Sequence, residues 1–375
     1  MKVLTLVGTR PELIKLSVVL SELDQSVNHI LAHTGQNYDY ELNEVFFEQL
    51  GIRKPDYFLE AAGLNAADTI ANVIRRTDEL LEKVDPDAFL VYGDTNSCLG
   101  VIAAKRRKIP IFHMEAGNRC FDQRVPEEIN RKIVDHLSDI NMVLSEHARR
   151  YLIAEGISPE TIIKTGSSML EVLNQHANSI DNSNVLKDEN LAKEEYIIVS
   201  AHREENIDSE TNFKSLLRTL EQLQQYFNKE VIVSTHPRTR KKLEGSGFDN
   251  KNPRIRFMKP FGFFEYLKLQ KEAFCVVSDS GTITEEASLL KIPAVTIRQA
   301  HERPEGMDEG TLIMTGSAPE NVIRAIEVTR RHFQSSTPFE TVEDYAVESV
   351  SKKVVKIILS YTGYINRTVW RKNDL

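Results

Sequence analysis

The sequence predicts an α/β protein built from two Rossmann-like, doubly wound domains that face each other across a cleft. The chain has 375 residues, which is long for one domain and suits two of about 100–200 residues each. Short apolar runs alternate with segments of helical periodicity, a pattern typical of a parallel sheet covered on both faces. A polar stretch at residues 174–195 interrupts this alternation and predicts an interdomain linker.

The first half of the chain, residues 1–173, alternates predicted strands and helices. Lys2–Val7 is an apolar, β-rich run, and Pro11–Leu23 carries apolar residues at helical spacing. Further strands are predicted at 27–33, 88–92 and 109–114, each followed by a helix, at 40–50, 97–105 and 126–137. In the last of these helices we expect Ile129, Ile133 and Leu137 to form the buried stripe.

The second half, residues 196–355, restarts the alternation after the linker. Strands are predicted at 196–200, 230–234, 254–257, 274–278 and 294–297. Ligands of open α/β sheets bind beyond the carboxyl ends of the strands. We therefore look for chemistry in the loops that follow these strands.

Composition excludes several classes of protein. Lys plus Arg is 47 and Asp plus Glu is 55, a net charge of −8, which argues against nucleic acid or an anionic membrane surface as the main partner. The three cysteines lie far apart and fit neither a disulfide framework nor a metal knuckle, so we expect a cytoplasmic protein. No apolar run approaches the ~18 residues of a spanning helix, and we see no targeting segment.

Three carboxylates are the candidate acids and bases. Asp94 follows the strand 88–92, Glu115 ends the next strand, and Glu127 lies in the first turn of a helix. Asp94 as a helix cap and Glu127 as a dipole-stabilising acid are the structural alternatives. His113 shares the side of Glu115 by strand alternation, and we expect it to be a packed, hydrogen-bonded residue. A hydrophobic cleft raises the pKa of such carboxylates and suits them to proton transfer.

Cationic and small residues supply candidate phosphate ligands. The loop after the first strand lacks the GxGxxG fingerprint of a dinucleotide site, but Arg10 and Lys15 suit a phosphate or leaving group unless they are plain surface charges. Asp85-Pro-Asp87 precedes a strand, so we interpret it as a solvated turn and not a metal site. In the second half the candidates are His202, Arg203, His236, Arg303 and the segment Ser280-Gly281-Thr282 with Glu286. Free N–H groups at the start of that helix suit a diphosphate and an acid suits ribose hydroxyls, the alternative being a capped helix without ligand.

The motifs occur in an order that resembles the non-hydrolysing UDP-N-acetylglucosamine 2-epimerase family over essentially the whole chain. They are GTRPELIK at 8–15, GDTNS at 93–97, HMEAG at 113–117, PEEINR at 126–131, SDSG at 278–281, EE at 285–286 and ERPE at 302–305. The resemblance implies a GT-B-like pair of domains, usually a homodimer. It also implies a C-terminal helix, residues 356–375, that packs back on the first domain.

The resemblance further implies a reaction without nicotinamide or metal. The C2 proton of a UDP-activated N-acetylamino sugar is removed, UDP leaves C1, and both add back to a bound 2-acetamidoglucal with C2 inverted. By resemblance the catalytic residues are Asp94, Glu115, Glu127 and His202. The substrate-binding residues implied are Arg10, Lys15, Arg131, Arg203, His236, Ser280, Gly281, Thr282, Glu286 and Arg303.

Departures from the commonest family pattern bear on the substrate. Glu204 replaces the second Arg of the HRREN motif, Thr282 replaces the second Gly of SDSGG, and residues 36–40 are QNYDY. These positions lie near the activator site of bacterial relatives, so the sequence leaves that regulatory site open. The chain looks closer to the branch that converts UDP-2-acetamido-2,6-dideoxy-L-talose to UDP-N-acetyl-L-fucosamine for capsule or O-antigen, with UDP-GlcNAc/UDP-ManNAc as the competing substrate pair. A GT-B glycosyltransferase and a non-catalytic UDP-sugar sensor are the alternatives from other classes.

Overall fold

The computed structural model describes residues 1–36, 47–201, 203–300, 302–335 and 339–372. The chain divides into unit 1, formed by Met1–Asn174 and Glu343–Leu375, and unit 2, formed by Gln175–Val342. Both are parallel-sheet α/β units, which confirms the predicted fold class. The boundaries differ from the predicted ones, because the polar stretch 174–195 contains short helices of unit 2 and because the chain returns to unit 1 at Glu343.

Unit 1 contains a seven-stranded sheet in the order β3-β2-β1-β4-β5-β6-β7, with every pair parallel. The strands are β1 Lys2–Val7, β2 Asn28–His33, β3 Tyr57–Phe58, β4 Ala88–Tyr92, β5 Ile111–Ala116, β6 Ile140–Val143 and β7 Ile162–Lys164. From β1 the chain moves one way to β2, and from β4 it moves the other way to β5. The ends of β1 and β4 therefore flank a topological switch point, where such sheets bind ligands.

The helices of unit 1 cover both faces of its sheet. They are α1 Arg10–Ser26, α2 Ala66–Val84, α3 Val101–Arg106, α4 Pro126–Leu137, α5 Glu146–Ala154 and α6 Met169–Gln175, with 3-10 helices at Asn96–Gly100 and Pro159–Thr161. Right-handed crossovers place α1 on one face and α3 and α4 on the other. All five residues of β4 are buried in the core between the two layers.

Unit 2 contains a six-stranded parallel sheet in the order β10-β9-β8-β11-β12-β13. The strands are β8 Tyr196–Ser200, β9 Glu230–Ser234, β10 Ile255–Met258, β11 Cys275–Ser278, β12 Ala294–Thr296 and β13 Ile313–Met314. The helices are α7 Ala177–Asp181, α8 Val185–Asp188, α9 Glu204–Ile207, α10 Glu210–Phe227, α11 Pro237–Ser246, α12 Phe263–Glu272, α13 Ile283–Leu290, α14 Glu305–Asp308 and α15 Pro319–Phe333. The ends of β8 and β11, which are neighbours at the centre of this sheet, flank its own switch point.

The C-terminal helix α16, Val350–Thr368, packs on α1 within unit 1. It begins earlier than the predicted residue 356 because Val350 and Val354 are already fully buried. In the described ranges, no helix is both long and apolar enough to cross a membrane.

Most predicted elements lie where the sequence placed them. Strands 88–92, 196–200 and 230–234 agree residue for residue. The predicted helix 40–50 falls mostly on residues 37–46, outside the described residues. The main difference is β5, which continues through Glu115 to Ala116, because Ala116 still pairs with Val143 of β6.

Candidate active site

The backbone at Glu115 departs from regular strand geometry. Its φ is +61°, a region that costs a non-glycine residue about 1–3 kcal/mol. The pairing of β5 with β6 shifts by one residue between Met114 and Ala116, so a β-bulge occurs here. A bulge re-aims a side chain, and the strict alternation that predicted one side for His113 and Glu115 ends at this point.

Polar groups from three elements hold the carboxylate of Glu115. Lys15 on α1 donates to Oε2 at 2.7 Å, and the hydroxyl of Tyr92 at the end of β4 donates to the same oxygen at 2.5 Å. Asn118 contacts the other oxygen at 3.4 Å. The side chains of Lys15 and Glu115 are 5% and 13% exposed. Lys15 is therefore not the solvated surface charge that the sequence allowed, but the buried partner of a candidate acid or base.

Asp94 pairs with Arg131 of α4. Arg131 contacts Oδ2 through Nε at 2.8 Å and through a terminal nitrogen at 2.7 Å, and Asn130 donates to the Asp94 carbonyl at 2.9 Å. The cap of the following 3-10 helix is Thr95, whose hydroxyl accepts from the Ser97 N–H. Asp94 is therefore not that cap, and its side chain, 23% exposed, remains partly accessible.

Glu127 lies one helical turn before the residues of α4 that contact Asp94. Positions three and four apart share a helix face, so Glu127 lies on the side of Asn130 and Arg131. It is half-buried in the first turn of α4. Its neighbour Glu128 is fully buried and accepts from the backbone N–H groups of Cys120 and Phe121, so Glu128 anchors the preceding loop.

The buried face of α4 is more polar than predicted. Ile129 is 52% exposed, and the buried side chains include Glu128, Asn130, Arg131, Val134 and Asp135. The prediction is wrong for Ile129, whereas Ile133 and Leu137 are partly buried and pack against the core of unit 1. The fully buried positions of this helix carry the partners of the two strand-end loops.

A buried network around Asp135 joins those loops. Asp135 contacts Nδ1 of His113 at 2.9 Å, a guanidinium nitrogen of Arg119 at 2.7 Å and the Gly117 N–H at 3.2 Å. The other ring nitrogen of His113 lies 2.7 Å from the carbonyl oxygen of Gly93. Burial alone would raise the pKa of Asp135, but the His113 hydrogen bond and the Arg119 charge outweigh it, so the pKa lies below its ordinary value. The prediction that His113 is packed and hydrogen-bonded is confirmed.

Glu12, in the first turn of α1, is a buried acid close to Asp94. It is 3% exposed, its Oε2 accepts from the Gly8 N–H at 2.7 Å, and its Oε1 accepts from the Thr95 hydroxyl at 2.5 Å. Arg10, the first residue of α1, is half-buried.

In unit 2 the segment after β11 forms a hydroxyl-rich turn at the start of α13. The hydroxyls of Ser280 and Thr282 lie 3.0 Å apart, and Thr282 donates to Glu286 at 2.8 Å. Gln270 donates to the other oxygen of Glu286 at 2.7 Å. Asp279 is fully buried and accepts from the Arg203 N–H at 3.0 Å, which fixes the loop after β8 to this turn.

A pocket in unit 2 opens beside this turn. The guanidinium of Arg298 contacts both oxygens of the Glu302 carboxylate, at 2.8 and 2.9 Å, and Arg203 approaches the same carboxylate at 3.4 Å. A Cβ atom at Gly281 would lie 2.7 Å from a carboxylate oxygen of Glu302, so a larger residue here would displace that side chain. Ser280, Gly281 and Arg303 also line the pocket.

The remaining predicted residues lie in different surroundings. Arg303 is buried, and its guanidinium lies 3.4 Å from the buried Glu285, so it is not a freely offered cation. His236 is exposed just before α11. His202 lies outside the described residues. Within the ranges that the structure describes, no group of three His, Cys, Asp or Glu side chains could hold a metal ion.

Comparison with known proteins shows the family of the chain. Residues 21–359 match the model of the family described as UDP-N-acetylglucosamine 2-epimerase. The chain belongs to the UDP-N-acetylglucosamine 2-epimerase family. It is similar to a protein of Rickettsia bellii whose structure is described as UDP-N-acetylglucosamine 2-epimerase, at 57% identity and a TM-score of 0.93, covering 99% of this chain and 100% of that one.

Two more distant relatives show the range of the UDP-N-acetylglucosamine 2-epimerase family. The UDP-GlcNAc 2-epimerase of Methanocaldococcus jannaschii, solved in complex with UDP-GlcNAc and UDP, is 32% identical with a TM-score of 0.89, covering 96% of this chain and 99% of that one. A Pseudomonas aeruginosa protein named UDP-2,3-diacetamido-2,3-dideoxy-D-glucuronate 2-epimerase is 34% identical over 330 residues, 87% of this chain and 91% of that protein. The protein is therefore an epimerase, and relatives of comparable identity carry the names of different sugars.

Sequence reasoning missed several residues of this epimerase's site. Glu12, Tyr92, Asn118 and Asp279 lie inside or beside the quoted motifs, but the sequence assigned them no role. Asp135 and Arg298 lie outside those motifs. The strand-end position of Tyr92 was a usable signal. Asp135 gave none, because an acid in the last turn of a helix is normally a solvated residue.

We predict that Asp135→Asn lowers the free energy of unfolding by about 3 kcal/mol at pH 7, because it removes one partner of a buried ion pair. A depressed carboxyl pKa contributes stability that is present above the ordinary value near 4 and is lost as the pH falls through the folded value. The difference between variant and wild type should therefore shrink below about pH 4.

Denaturant titration of both proteins measures this effect. Asp78→Asn is the matched control, since Asp78 also binds an arginine with two bonds but its side chain is 47% exposed, and such pairs contribute about 0–1 kcal/mol. Equal losses in the two variants would contradict the assigned role of Asp135.

Proposed function

We propose that the protein epimerises C2 of a UDP-activated N-acetylamino sugar by anti-elimination of UDP and re-addition through a 2-acetamidoglucal. The observation that carries this proposal is the placement of Asp94 and Glu115 at the ends of neighbouring strands, each in contact with a cation. Inversion at C2 requires a proton to leave one face of the sugar and to arrive on the other. A pair of carboxylates from adjacent strand ends supplies the two groups that this needs.

The cations beside the carboxylates have a second use in this reaction. C2 has no adjacent carbonyl to acidify its proton. The negative charge that develops on UDP as the C1–O bond breaks must therefore be stabilised by the enzyme. Lys15 and Arg131, already held against Glu115 and Asp94, supply positive charge that need not reorganise during the reaction. The acid-base work is assigned to Asp94, Glu115 and Glu127, with His202 as the further catalytic candidate.

Unit 2 is assigned the recognition of the UDP group. The hydroxyls of Ser280 and Thr282 with the backbone of Gly281 suit a diphosphate at the start of α13, and Glu286 suits ribose hydroxyls. Arg203, His236 and Arg303 are retained as expected ligands of the same group. In the structure each oxygen of Glu286 accepts one hydrogen bond, from Thr282 and from Gln270. A carboxylate oxygen has two lone pairs, so Glu286 can accept from a ribose hydroxyl while it keeps both bonds.

Two sugars are candidates, and different observations support them. The names of the relatives support UDP-GlcNAc and UDP-ManNAc. Thr282 and Glu204, which depart from the commonest family pattern, support UDP-2-acetamido-2,6-dideoxy-L-talose as the substrate and UDP-N-acetyl-L-fucosamine as the product. The Pseudomonas relative shows that a third of identical residues does not fix the sugar.

The proposal includes three further expectations of the sequence. The enzyme works as a homodimer, it resides in the cytoplasm, and it needs no nicotinamide or metal. Elimination and re-addition leave the oxidation state of the sugar unchanged, so the reaction has no redox step for nicotinamide. The expectation of no metal comes from the resemblance to the family.

Incubation with each of the two UDP sugars in D₂O, without added cofactor, should give a product with deuterium at C2. The solvent supplies the returning proton because the carboxyl that took the original one exchanges with water. NMR of both reactions measures epimerisation and labelling together, and the better substrate should have the higher kcat/KM by about tenfold or more. Product that keeps its original C2 hydrogen would rule out the elimination mechanism, and a glycosyl product would favour a transferase.

Asp94→Asn, Glu115→Gln and Glu127→Gln should each lower kcat by roughly 10²-fold or more, the scale of acid-base residues. Calorimetry should show that UDP still binds, because these side chains are not assigned to the nucleotide. Glu82→Gln is the control, since that carboxylate is 76% exposed on unit 1. Near-normal turnover in any of the three variants removes that residue from the acid-base assignment.

A further inference from the structure

We propose that Glu12 is a positioning residue for the epimerisation, because its ionised carboxylate holds the loop that presents Asp94. The inference rests on the proposed function of the site. Glu12 touches no reacting atom in this account. It acts through Thr95, the residue that follows Asp94.

Glu12 and Thr95 join two segments that are 83 residues apart in sequence. The Thr95 hydroxyl accepts from the Ser97 N–H at 3.3 Å and donates to Glu12 at 2.5 Å, so both its roles are fixed. Glu12 also accepts from the Gly8 N–H at 2.7 Å, which ties the end of β1 to the same carboxylate. The backbone next to Asp94 is therefore anchored to α1 through one side chain.

The residues around the Gly8 end of this junction pack closely. A Cβ atom at Gly8 would lie 1.8 Å from the Ser97 hydroxyl and 2.3 Å from that of Thr34, so the ends of β1, β2 and β4 meet without a gap. The hydroxyls of Thr34 and Ser97 lie 2.8 Å apart. Small residues make this junction, and the Glu12 carboxylate bonds to two of its segments.

A capping role alone does not account for a charge at this position. Burial raises the pKa of Glu12 to about 7, opposed by its hydrogen bonds to Thr95 and Gly8 and increased by the charge of Asp94. The titratable groups that face it across the junction are Asp94 and the thiol of Cys98, whose pKa burial raises well above its ordinary value. On α1 itself, Lys15 pairs with Glu115. If Glu12 served only to accept from the Gly8 N–H, a neutral glutamine would do so without the cost of burying a charge.

The effect of Glu12 on stability has a definite sign. The pKa of Glu12 in the folded protein lies above the ordinary value of 4.5. Protonated Glu12 therefore stabilises the folded protein at low pH, and this stabilisation is lost as the pH rises through about 7. We therefore expect Glu12→Gln to raise the Tm at pH 8 and to leave it little changed at pH 5. A residue that serves stability alone would show a lower Tm in the variant.

The same variant should lower turnover. At pH 8 we expect kcat to fall about tenfold with KM within threefold, because a misplaced catalytic group costs rate more than binding. The ratio of wild type to variant should shrink towards about twofold at pH 6, where Glu12 of the wild type is protonated. Thr95→Val should lower kcat by the same factor as Glu12→Gln, whereas Thr95→Ser, which keeps the hydroxyl, should retain the wild-type kcat. The double variant Glu12→Gln/Thr95→Val should have a kcat no lower than that of either single variant. Glu22→Gln, on the same helix, is the control.

Wild-type kcat for Glu12→Gln at pH 8, additive losses in the double variant, or a loss of rate together with a lower Tm would each overturn the positioning role. Failure of the wild type to epimerise either UDP sugar would refute the proposed function instead. In that case amide hydrogen exchange of residues 93–100 decides the positioning role. It should rise about tenfold in Glu12→Gln at pH 8 and not in Glu22→Gln, and unchanged exchange overturns the inference.

Discussion

The hydrogen bonds and ion pairs of the buried Asp135 set the geometry of both strand ends that carry the candidate acids and bases. The Asp135 carboxylate accepts a hydrogen bond from the N–H of Gly117, two residues after Glu115. Through His113 it also reaches the carbonyl of Gly93, the residue before Asp94. A charge that is fully buried holds its partners rigidly, because any partner that moves away leaves it unpaired. The spacing of the two candidate residues therefore depends on α4 as well as on the sheet.

The site contains several ion pairs, although a buried pair is often no more stabilising than well-packed apolar residues of the same volume. Lys15 with Glu115 and Arg131 with Asp94 each place a cation against a carboxylate at low exposure. The strained backbone of Glu115 adds a further cost. These costs are consistent with a site selected for chemistry, where a proton moves on and off a carboxylate while a neighbouring cation keeps the local charge balanced.

The sequence predicted the two parallel-sheet units because β4 and β8 are continuous apolar runs, a pattern with few other solutions. It also placed Asp94 and Glu115 at strand ends by the same rule. It failed on α4, where Ile129 is exposed and Asp135 is buried, because periodicity assumes that buried faces are apolar. The bulge at Glu115 and the bond from Thr95 to Glu12 depend on pairing between distant segments, which a single sequence does not reveal.

In the proposed reaction, the carboxylates of unit 1 flank C2 of the sugar. A crystal structure with UDP and 2-acetamidoglucal tests it directly. We expect C2 to lie within about 3–4 Å of carboxylate oxygens on both faces of the sugar, contributed by two of Asp94, Glu115 and Glu127, or linked to them by one water. A glycal whose C2 lies beyond the reach of all three, or faces carboxylates on one side alone, would contradict the account.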